Sequence, residues 1–163
     1  MTKLLVLSDS HGGRAAIERV LMKEGKNVDA LIFLGDGLRD LEAALANYPK
    51  LRAYSVAGNC DFGALEPTDG LAAFDQVVIF YTHGHMYGVK YDLDTLADAA
   101  SARGAEVALF GHTHIPHAEQ RGNVFLFNPG SCGRCYTGAD TYGILTTDKG
   151  KVVAYEHKEV PQK

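Results

Sequence analysis

The stretch Ala108-Leu-Phe-Gly-His-Thr-His114 decides the fold prediction, because an apolar run breaks at Gly111 and ends in two histidines at positions i and i+2. In extended backbone such side chains point to the same side, whereas on a helix they point about 200° apart. The spacing therefore suits a strand end that aims both imidazoles at one place. Two imidazoles so placed are good transition-metal ligands, although an ordinary polar loop also explains the pair until partners are found.

Size and composition are those of an ordinary globular chain. The protein has 163 residues, 46% hydrophobic and 22% charged, with a formal net charge of −4. This length predicts a single domain over residues 1–163. The acidic balance and scattered basic residues predict no duplex nucleic acid partner. The first apolar run is too short for a signal peptide and no run approaches a membrane span, so we expect a cytoplasmic protein without membrane contact.

The three cysteines do not form a recognisable framework. Cys60, Cys132 and Cys135 are too few for a set of disulfides, and we expect reduced thiols. Cys132 and Cys135 have the spacing of a redox motif, but they lie in a glycine-rich loop late in the chain rather than at the start of a helix. A lone pair also falls short of the four ligands of a structural zinc site, so their role stays open.

Hydrophobic patterning predicts an α/β chain in which buried strands alternate with helices. Leu4–Leu7 is a continuous apolar run, which is typical of a strand covered on both faces. Further strands are predicted at Ala30–Leu34, Arg52–Ala57, Leu71–Phe74, Val77–Tyr81 and Glu106–Phe110, with helices at Arg14–Lys23, Leu38–Ala46 and Leu93–Ala102. Phe62–Gly70 reads as a loop. Antiparallel strands joined by turns are expected at Val124–Phe127, Tyr142–Thr146 and Val152–Tyr155.

Five predicted strands end in residues that can bind a metal, and the carboxyl ends of parallel strands lie along one edge of a sheet. These residues are Asp9 with His11, Asp36, Asn59, His83, and His112 with His114. Taken singly, Asp36 and Asn59 are better explained as turn residues and His83 as a hydrogen-bonded histidine. Turn chemistry does not explain why five of the seven histidines cluster in three such loops. The recurrence favours a metal site, and His117 and His157 fall outside it.

The combined ligand set indicates two metal ions. Two carboxylates, one amide and four imidazoles exceed the needs of one tetrahedral zinc ion, but they fill two sites if one carboxylate bridges. Mixed nitrogen and oxygen donors without thiolate suit Mn²⁺, Fe, Zn²⁺, Co²⁺ or Ni²⁺ rather than Ca²⁺. We expect two divalent metal ions, Mn²⁺ first, with Ni²⁺, Zn²⁺ or Fe²⁺ as alternatives.

Ordered sequence blocks carry a family resemblance. The blocks are Asp9-Ser-His11, Gly35-Asp36, Gly58-Asn59-Cys-Asp61, His83-Gly-His85 and Gly111-His112-Thr-His114, followed by Asn128-Pro-Gly-Ser131. Together they resemble the calcineurin-like metallophosphoesterases, in particular their small bacterial and archaeal phosphodiesterase branch. The resemblance implies a two-sheet β-sandwich flanked by helices in four αββα layers. It places Asp9, His11, Asp36 and His114 on one metal and Asp36, Asn59, His83 and His112 on the other, with Asp36 as the bridge.

One position departs from the family pattern. Many members carry a histidine directly after the asparagine, thought to protonate the leaving group, and this chain has Cys60 there. A buried neutral thiol is a poor acid for an alkoxide, which puts monoesterase activity in doubt. His85 becomes the candidate for a proton-donating or substrate-contacting group. Asn59 and Arg134 are the candidates for contact with the phosphate oxygens.

The resemblance predicts hydrolysis of a small phosphate ester, most readily a diester, by a hydroxide that two divalent ions activate. The short chain leaves no room for a capping domain, so we expect an open site. One alternative is a metal-free interaction scaffold on the same fold, like the retromer subunit that resembles this family. Another is a repair-type nuclease, which the acidic balance disfavours. Bare sheet edges are compatible with a homodimer.

Overall fold

The computed structural model describes residues 1–136 and 138–162. Its strands are β1 (Thr2–Leu7), β2 (Ala30–Phe33), β3 (Arg52–Ser55), β4 (Asp69–Phe74), β5 (Val77–Thr82), β6 (Val107–Leu109), β7 (His117–Arg121), β8 (Val124–Asn128), β9 (Thr141–Asp148) and β10 (Lys151–Glu159). The helices are α1 (Arg14–Glu24), α2 (Leu38–Leu45) and α3 (Asp94–Ala102), with a 3₁₀ turn at His85–Tyr87. None of these described helices is long and apolar enough to cross a membrane.

The strands form two mixed sheets of five strands each. The first sheet has the order β10-β9-β1-β2-β3, in which β1, β2 and β3 run parallel and β9 runs antiparallel to β1. The second has the order β4-β5-β6-β8-β7, in which β5, β6 and β8 run parallel between antiparallel edge strands. Each parallel group therefore has its own set of carboxyl ends, where loops can carry functional side chains.

Three apolar clusters hold the layers together. Leu4 of β1 packs between the two sheets, whereas its neighbour Leu5 packs against α1 and α2. Both faces of the strand are thus covered, which explains its continuous hydrophobicity. On the other side of the sandwich, Leu96 and Ala100 of α3 pack with Phe80 of the second sheet. The result is the four-layer αββα arrangement that the family resemblance implies.

The second sheet contains the departures from the predicted elements. The predicted loop Phe62–Gly70 ends early, because β4 already begins at Asp69. Strand β7 is absent from the prediction, since its residues His-Ala-Glu-Gln-Arg are polar and it lies at a sheet edge. Of the three late strands expected to be antiparallel, β9 and β10 do pair in this way, in the first sheet. Strand β8 does not join them, because it lies in the second sheet, parallel to β6 and antiparallel to β7.

Candidate metal centre

The predicted ligands meet between the ends of both sheets, rather than along the edge of one parallel sheet. Asp9, His11 and Asp36 follow β1 and β2 of the first sheet, and His83, His112 and His114 follow β5 and β6 of the second. A direct bond joins the two sides, because the His112 backbone N–H donates to Asp9 Oδ2 at 3.0 Å. The ligand candidates are therefore brought together by the packing of the sheets.

One group of donors surrounds Asp9. The Nε2 atoms of His11 and His114 face each other at 3.2 Å and lie 3.4 and 3.3 Å from Asp9 Oδ1. Asp9 is fully buried, yet Oδ1 makes no hydrogen bond within the described residues. A buried carboxylate oxygen is costly without a partner. Two imidazole nitrogens and one carboxylate oxygen thus converge on one point.

A second group surrounds His83. Its Nε2 lies 3.2 Å from both Asp36 Oδ2 and His112 Nδ1. The same oxygen of Asp36 lies 3.6 Å from His11 Nε2, which belongs to the first group. Asp36 therefore stands between the two groups, where a bridging carboxylate would have to be.

Backbone carbonyls orient two of the imidazoles. His83 Nδ1 donates to Leu34 O at 2.7 Å, and His114 Nδ1 donates to Arg134 O at 2.6 Å. We assign the tautomers from these acceptors, which leaves each Nε2 for the centre. Ligating histidines commonly give their second nitrogen to a carbonyl or a carboxylate in this way. The arrangement fits a divalent cation at each group.

The electrostatics favour cation binding. Burial alone would raise the pKa of Asp9, but the imidazoles of His11 and His114 hold it well below its ordinary range. The pKa of Asp36 is lowered as well, because His83 outweighs burial. Burial, assisted by the charge of His83, lowers the pKa of His112 to about 4. Ionised carboxylates and a neutral imidazole are the forms that bind metals.

The backbone at the centre is strained. Eight non-glycine residues in the described chain have positive φ, a region that L residues rarely adopt. Five of them belong to the centre: Asp9 (57°), His11 (44°), Asp36 (59°), His112 (70°) and His114 (64°). Such strain is costly and concentrates at functional sites, where the surrounding structure enforces it.

Asp61 holds the first-sheet loops in place, a role that the sequence analysis does not assign. Its carboxylate accepts four backbone N–H groups, from Asp36 (2.7 Å), Gly37 (2.9 Å), Leu38 (3.1 Å) and Gly58 (2.9 Å). The one feature of the sequence that could have indicated this role is the place of Asp61 in the Gly58-Asn59-Cys-Asp61 block.

Asn128 holds the loops of the second sheet. Its buried side chain donates to Gly111 O and Thr113 Oγ1 and accepts from the N–H of Gly130.

The predicted ligand Asn59 and its neighbour Cys60 are both exposed. The Asn59 amide contacts Cys60 Sγ at 3.6 Å, and its ligation of a metal stays a prediction. Cys60 is exposed, so the expected burial of this thiol is wrong. Its sulfur nevertheless lies within 4.8 Å of ligand atoms of His11 and Asp36. Partial desolvation and the charge of Asp36 raise the pKa of the Cys60 thiol, which keeps it protonated.

The other two rim candidates differ in their contacts. His85 opens the 3₁₀ turn, and its buried Nδ1 has no hydrogen-bond partner in the part of the chain that the structure describes. Its ring centroid lies 5.4 Å from that of His83. Burial lowers the pKa of His85, which favours a neutral imidazole. Arg134 has an exposed side chain, and its backbone carbonyl orients His114. Their contacts with substrate stay predictions.

The remaining candidates lie outside the centre. His117 pairs with Glu119 at 2.7 Å, and His157 Nε2 donates to Asn128 O at 2.7 Å. Cys132 is fully buried, and burial raises the pKa of its thiol far above the ordinary range. A thiol so protected is a poor nucleophile, which speaks against redox exchange at this position.

Family comparison agrees with the geometry of the centre. The model of the calcineurin-like phosphoesterase superfamily domain matches residues 2–150. The chain belongs to this superfamily. It is 35% identical over 147 residues to the "Probable metallophosphoesterase YsnB" of Bacillus subtilis, covering 89% of this chain and 84% of the relative. It is 32% identical to the "Phosphodiesterase YfcE" of Escherichia coli K12, covering 98% of this chain and 96% of the relative.

Solved structures support the same fold. A predicted phosphoesterase from Streptococcus pneumoniae TIGR4 superposes with a TM-score of 0.78 and 26% identity, over 97% of both chains. Vacuolar Protein Sorting 29 from Cryptosporidium parvum superposes with a TM-score of 0.76 over 97% of this chain and 98% of its own. Its identity of 14% shows a shared fold only.

Proposed function

We propose that this protein is a phosphodiesterase that uses two divalent metal ions, Mn²⁺ first among them. The observation that carries the proposal is the position of Asp36, whose Oδ2 lies 3.2 Å from His83 Nε2 and 3.6 Å from His11 Nε2. A carboxylate that stands between two groups of imidazoles can bridge two ions a few ångströms apart. The relatives named as phosphodiesterases support the reaction class.

The chain contributes charge and orientation to this chemistry. Bound divalent cations supply Lewis acidity and lower the pKa of water. Asp9 and Asp36 remain ionised, so they provide the negative charge that holds the cations. The carbonyls of Leu34 and Arg134 fix the rings of His83 and His114. This preorganisation avoids the cost of reorienting ligands during the reaction.

Rim residues would handle the substrate. Asn59 is exposed and its amide can donate to a phosphate oxygen. Arg134, whose backbone carbonyl accepts from His114, has an exposed guanidinium that can do the same. His85, whose buried Nδ1 has no hydrogen-bond partner among the described residues, is the candidate for contact with the substrate or for donation of a proton to the leaving group. Because the Cys60 thiol is a weak acid, we propose that diesters with good leaving groups are preferred over monoesters.

A metal-free interaction scaffold is the second candidate, since Vacuolar Protein Sorting 29 shares the fold. Two features oppose it. The donor groups around Asp9 and Asp36 converge, and five residues of the centre hold strained backbone. Both features support the metal-dependent reaction over docking alone.

The decisive experiment measures metal binding and hydrolysis separately. The protein is stripped with a chelator and titrated with Mn²⁺, Ni²⁺, Zn²⁺ or Mg²⁺ in a calorimeter, and hydrolysis of bis(p-nitrophenyl) phosphate and p-nitrophenyl phosphate is then followed. We expect two ions per chain and faster diester cleavage. Asp36→Asn should bind one ion fewer and cleave the diester at least about 100-fold more slowly. Asp98→Asn, an exposed change on α3, should bind two ions and cleave the diester at the unmutated rate. Folded protein that binds no ion and cleaves neither ester would favour the scaffold.

A further inference from the structure

A cleft of about 920 Å³ extends from the candidate centre along the first sheet. His11 and Asp36 form its inner end, α2 forms one wall and the Cys60–Glu66 loop forms the other. Edge strand β3 contributes Ala53 and Ser55. The volume is within the range of small-molecule sites, which is roughly 300–1,000 Å³. Most of the cleft lies beyond the ligand candidates, so the centre alone does not explain it.

The outer part of the cleft presents apolar groups to water. Phe62 is 84% exposed and Leu65 is 97% exposed, although both are large apolar side chains. Leu38 and Leu45 of α2 line the facing wall and are half-buried. Clustered apolar exposure beside a polar site is typical of a ligand-binding surface.

The loop that carries Phe62 is anchored. Its neighbour Asp61 accepts four backbone N–H groups, and the Asp61 N–H donates to Gly58 O at 3.2 Å. These bonds tie the chain on one side of Phe62 to the loops that carry Asp36. The aromatic ring is therefore attached close to a fixed point, three residues after Asn59, at the mouth of the centre.

The charge of the cleft restricts what can bind there. Glu42 and Glu66 are exposed lining residues, and Arg39 is the only lysine or arginine among the described lining residues. Asp40 and Asp61 add further negative charge. A second phosphate or a polyphosphate would therefore be repelled from the outer cleft. An uncharged group avoids this penalty and still covers the apolar side chains.

We propose that the cleft is the subsite for one organic arm of the substrate, an uncharged aromatic group that stacks on Phe62. The inference rests on the proposed function and specifies its substrate class as phosphate diesters with a neutral aromatic arm, such as a nucleoside. Stacking on an aromatic side chain tolerates different rings, because each ring offers a face. Selectivity then comes from ring and charge rather than from a hydrogen-bond code.

Binding of two diester analogues whose only leaving group is methoxide, and which are therefore cleaved slowly, tests the proposal. Methyl phenylphosphonate and methyl methylphosphonate carry the same single negative charge and differ in one arm. Calorimetry with the metal-loaded full chain should show that the phenyl compound binds about 10-fold more tightly. Phe62→Ala should abolish this difference without weakening the methyl compound, and Phe62→Leu should restore only part of it. Met22→Ala, an exposed apolar change on α1, should preserve it.

A charged analogue tests the second half of the proposal. Methyl 4-carboxyphenylphosphonate should bind more weakly than the phenyl compound, and Glu66→Gln should narrow the gap. Equal binding of the phenyl and methyl compounds by a protein that takes up two ions and cleaves diesters would overturn the subsite and leave the proposed function intact. Failure to take up ions or cleave any diester would overturn both.

Discussion

The two sheets bring different chemistry to the same centre. The first sheet supplies both carboxylates and one imidazole, from Asp9, Asp36 and His11, whereas the second supplies imidazoles alone, from His83, His112 and His114. The side chains that hold the loops of the two sheets also differ in charge. The charged side chain of Asp61 ties the first-sheet loops, and the neutral side chain of Asn128 ties those of the second. The negative charge of the centre thus comes from one half of the sandwich, and most of its imidazoles come from the other.

The largest effect should come from breaking the charged support. Asp61→Ala leaves four backbone N–H groups without their acceptor, so we expect the free energy of unfolding to fall by about 3 to 5 kcal/mol. Urea denaturation at neutral pH measures the change. Asp98→Ala, an exposed aspartate of α3, serves as the control and should leave the midpoint nearly unaltered. A loss below about 1 kcal/mol for Asp61→Ala would mean that water replaces the carboxylate easily.

Breaking the neutral support should cost less. Asn128→Ala removes three hydrogen bonds between uncharged groups, for an expected loss of about 2 to 3 kcal/mol in the same assay. The bonds hold Gly111 and Thr113, which flank His112, so metal affinity should fall by about 10-fold as well. If Asn128→Ala proved more damaging to stability than Asp61→Ala, the contrast between the two supports would be reversed.

The smallest effect should be a difference in pH dependence. Burial lowers the pKa of His112 to about 4 in the folded protein, below its ordinary value of 6.5. The unfolded chain therefore binds more protons between these values, and the stability of the chelator-treated protein should fall as pH drops from 6.5 to 4. His112→Gln removes this contribution, so its unfolding free energy should fall less steeply over that range. Parallel curves for the two proteins would contradict the assignment.

The same titration separates the two halves of the sandwich. The carboxyls of Asp9 and Asp36 have lowered pKa values, so their contribution to stability is present above the ordinary value of 3.8 and is lost as pH falls below it. The second-sheet imidazole should thus respond at milder acidity than the first-sheet carboxylates. Burial lowers the pKa of His83, but Asp36 raises it above the ordinary value. Because His83 is present both in the unmutated protein and in His112→Gln, its titration contributes to both stability curves.

The sequence predicted those elements in which the pattern of apolar residues shows which faces are buried. The apolar run Leu4–Leu7 predicts a strand with two covered faces, and β1 has both. It could not find β7, because a polar edge strand such as His117–Arg121 is held by backbone bonds on one side and carries no apolar pattern. The division of the strands between two sheets came from the family resemblance, since periodicity alone does not say which strands share a sheet.

The centre was predictable in its side chains and not in its backbone. Histidine and aspartate at strand ends mark ligand candidates, and the structure brings six of them together. The acceptors that orient two of the rings are the carbonyls of Leu34 and Arg134, and every residue carries a carbonyl. The role of Asp61 was equally hard to predict, because in the sequence a carboxylate that accepts backbone N–H groups cannot be distinguished from an ordinary turn aspartate.

The positive φ angles at the centre have an evolutionary consequence. Glycine adopts this region without the steric cost that aspartate and histidine bear. That cost falls on five residues that we propose as metal ligands, namely Asp9, His11, Asp36, His112 and His114. In a descendant that no longer needed metal, glycine at these positions would relieve the backbone strain but would lose the hydrogen bonds that the carboxylates of Asp9 and Asp36 accept. Under the proposed function, a homologue that keeps all five side chains in spite of this steric cost is expected to have kept metal binding as well, and metal titration of that homologue would check it.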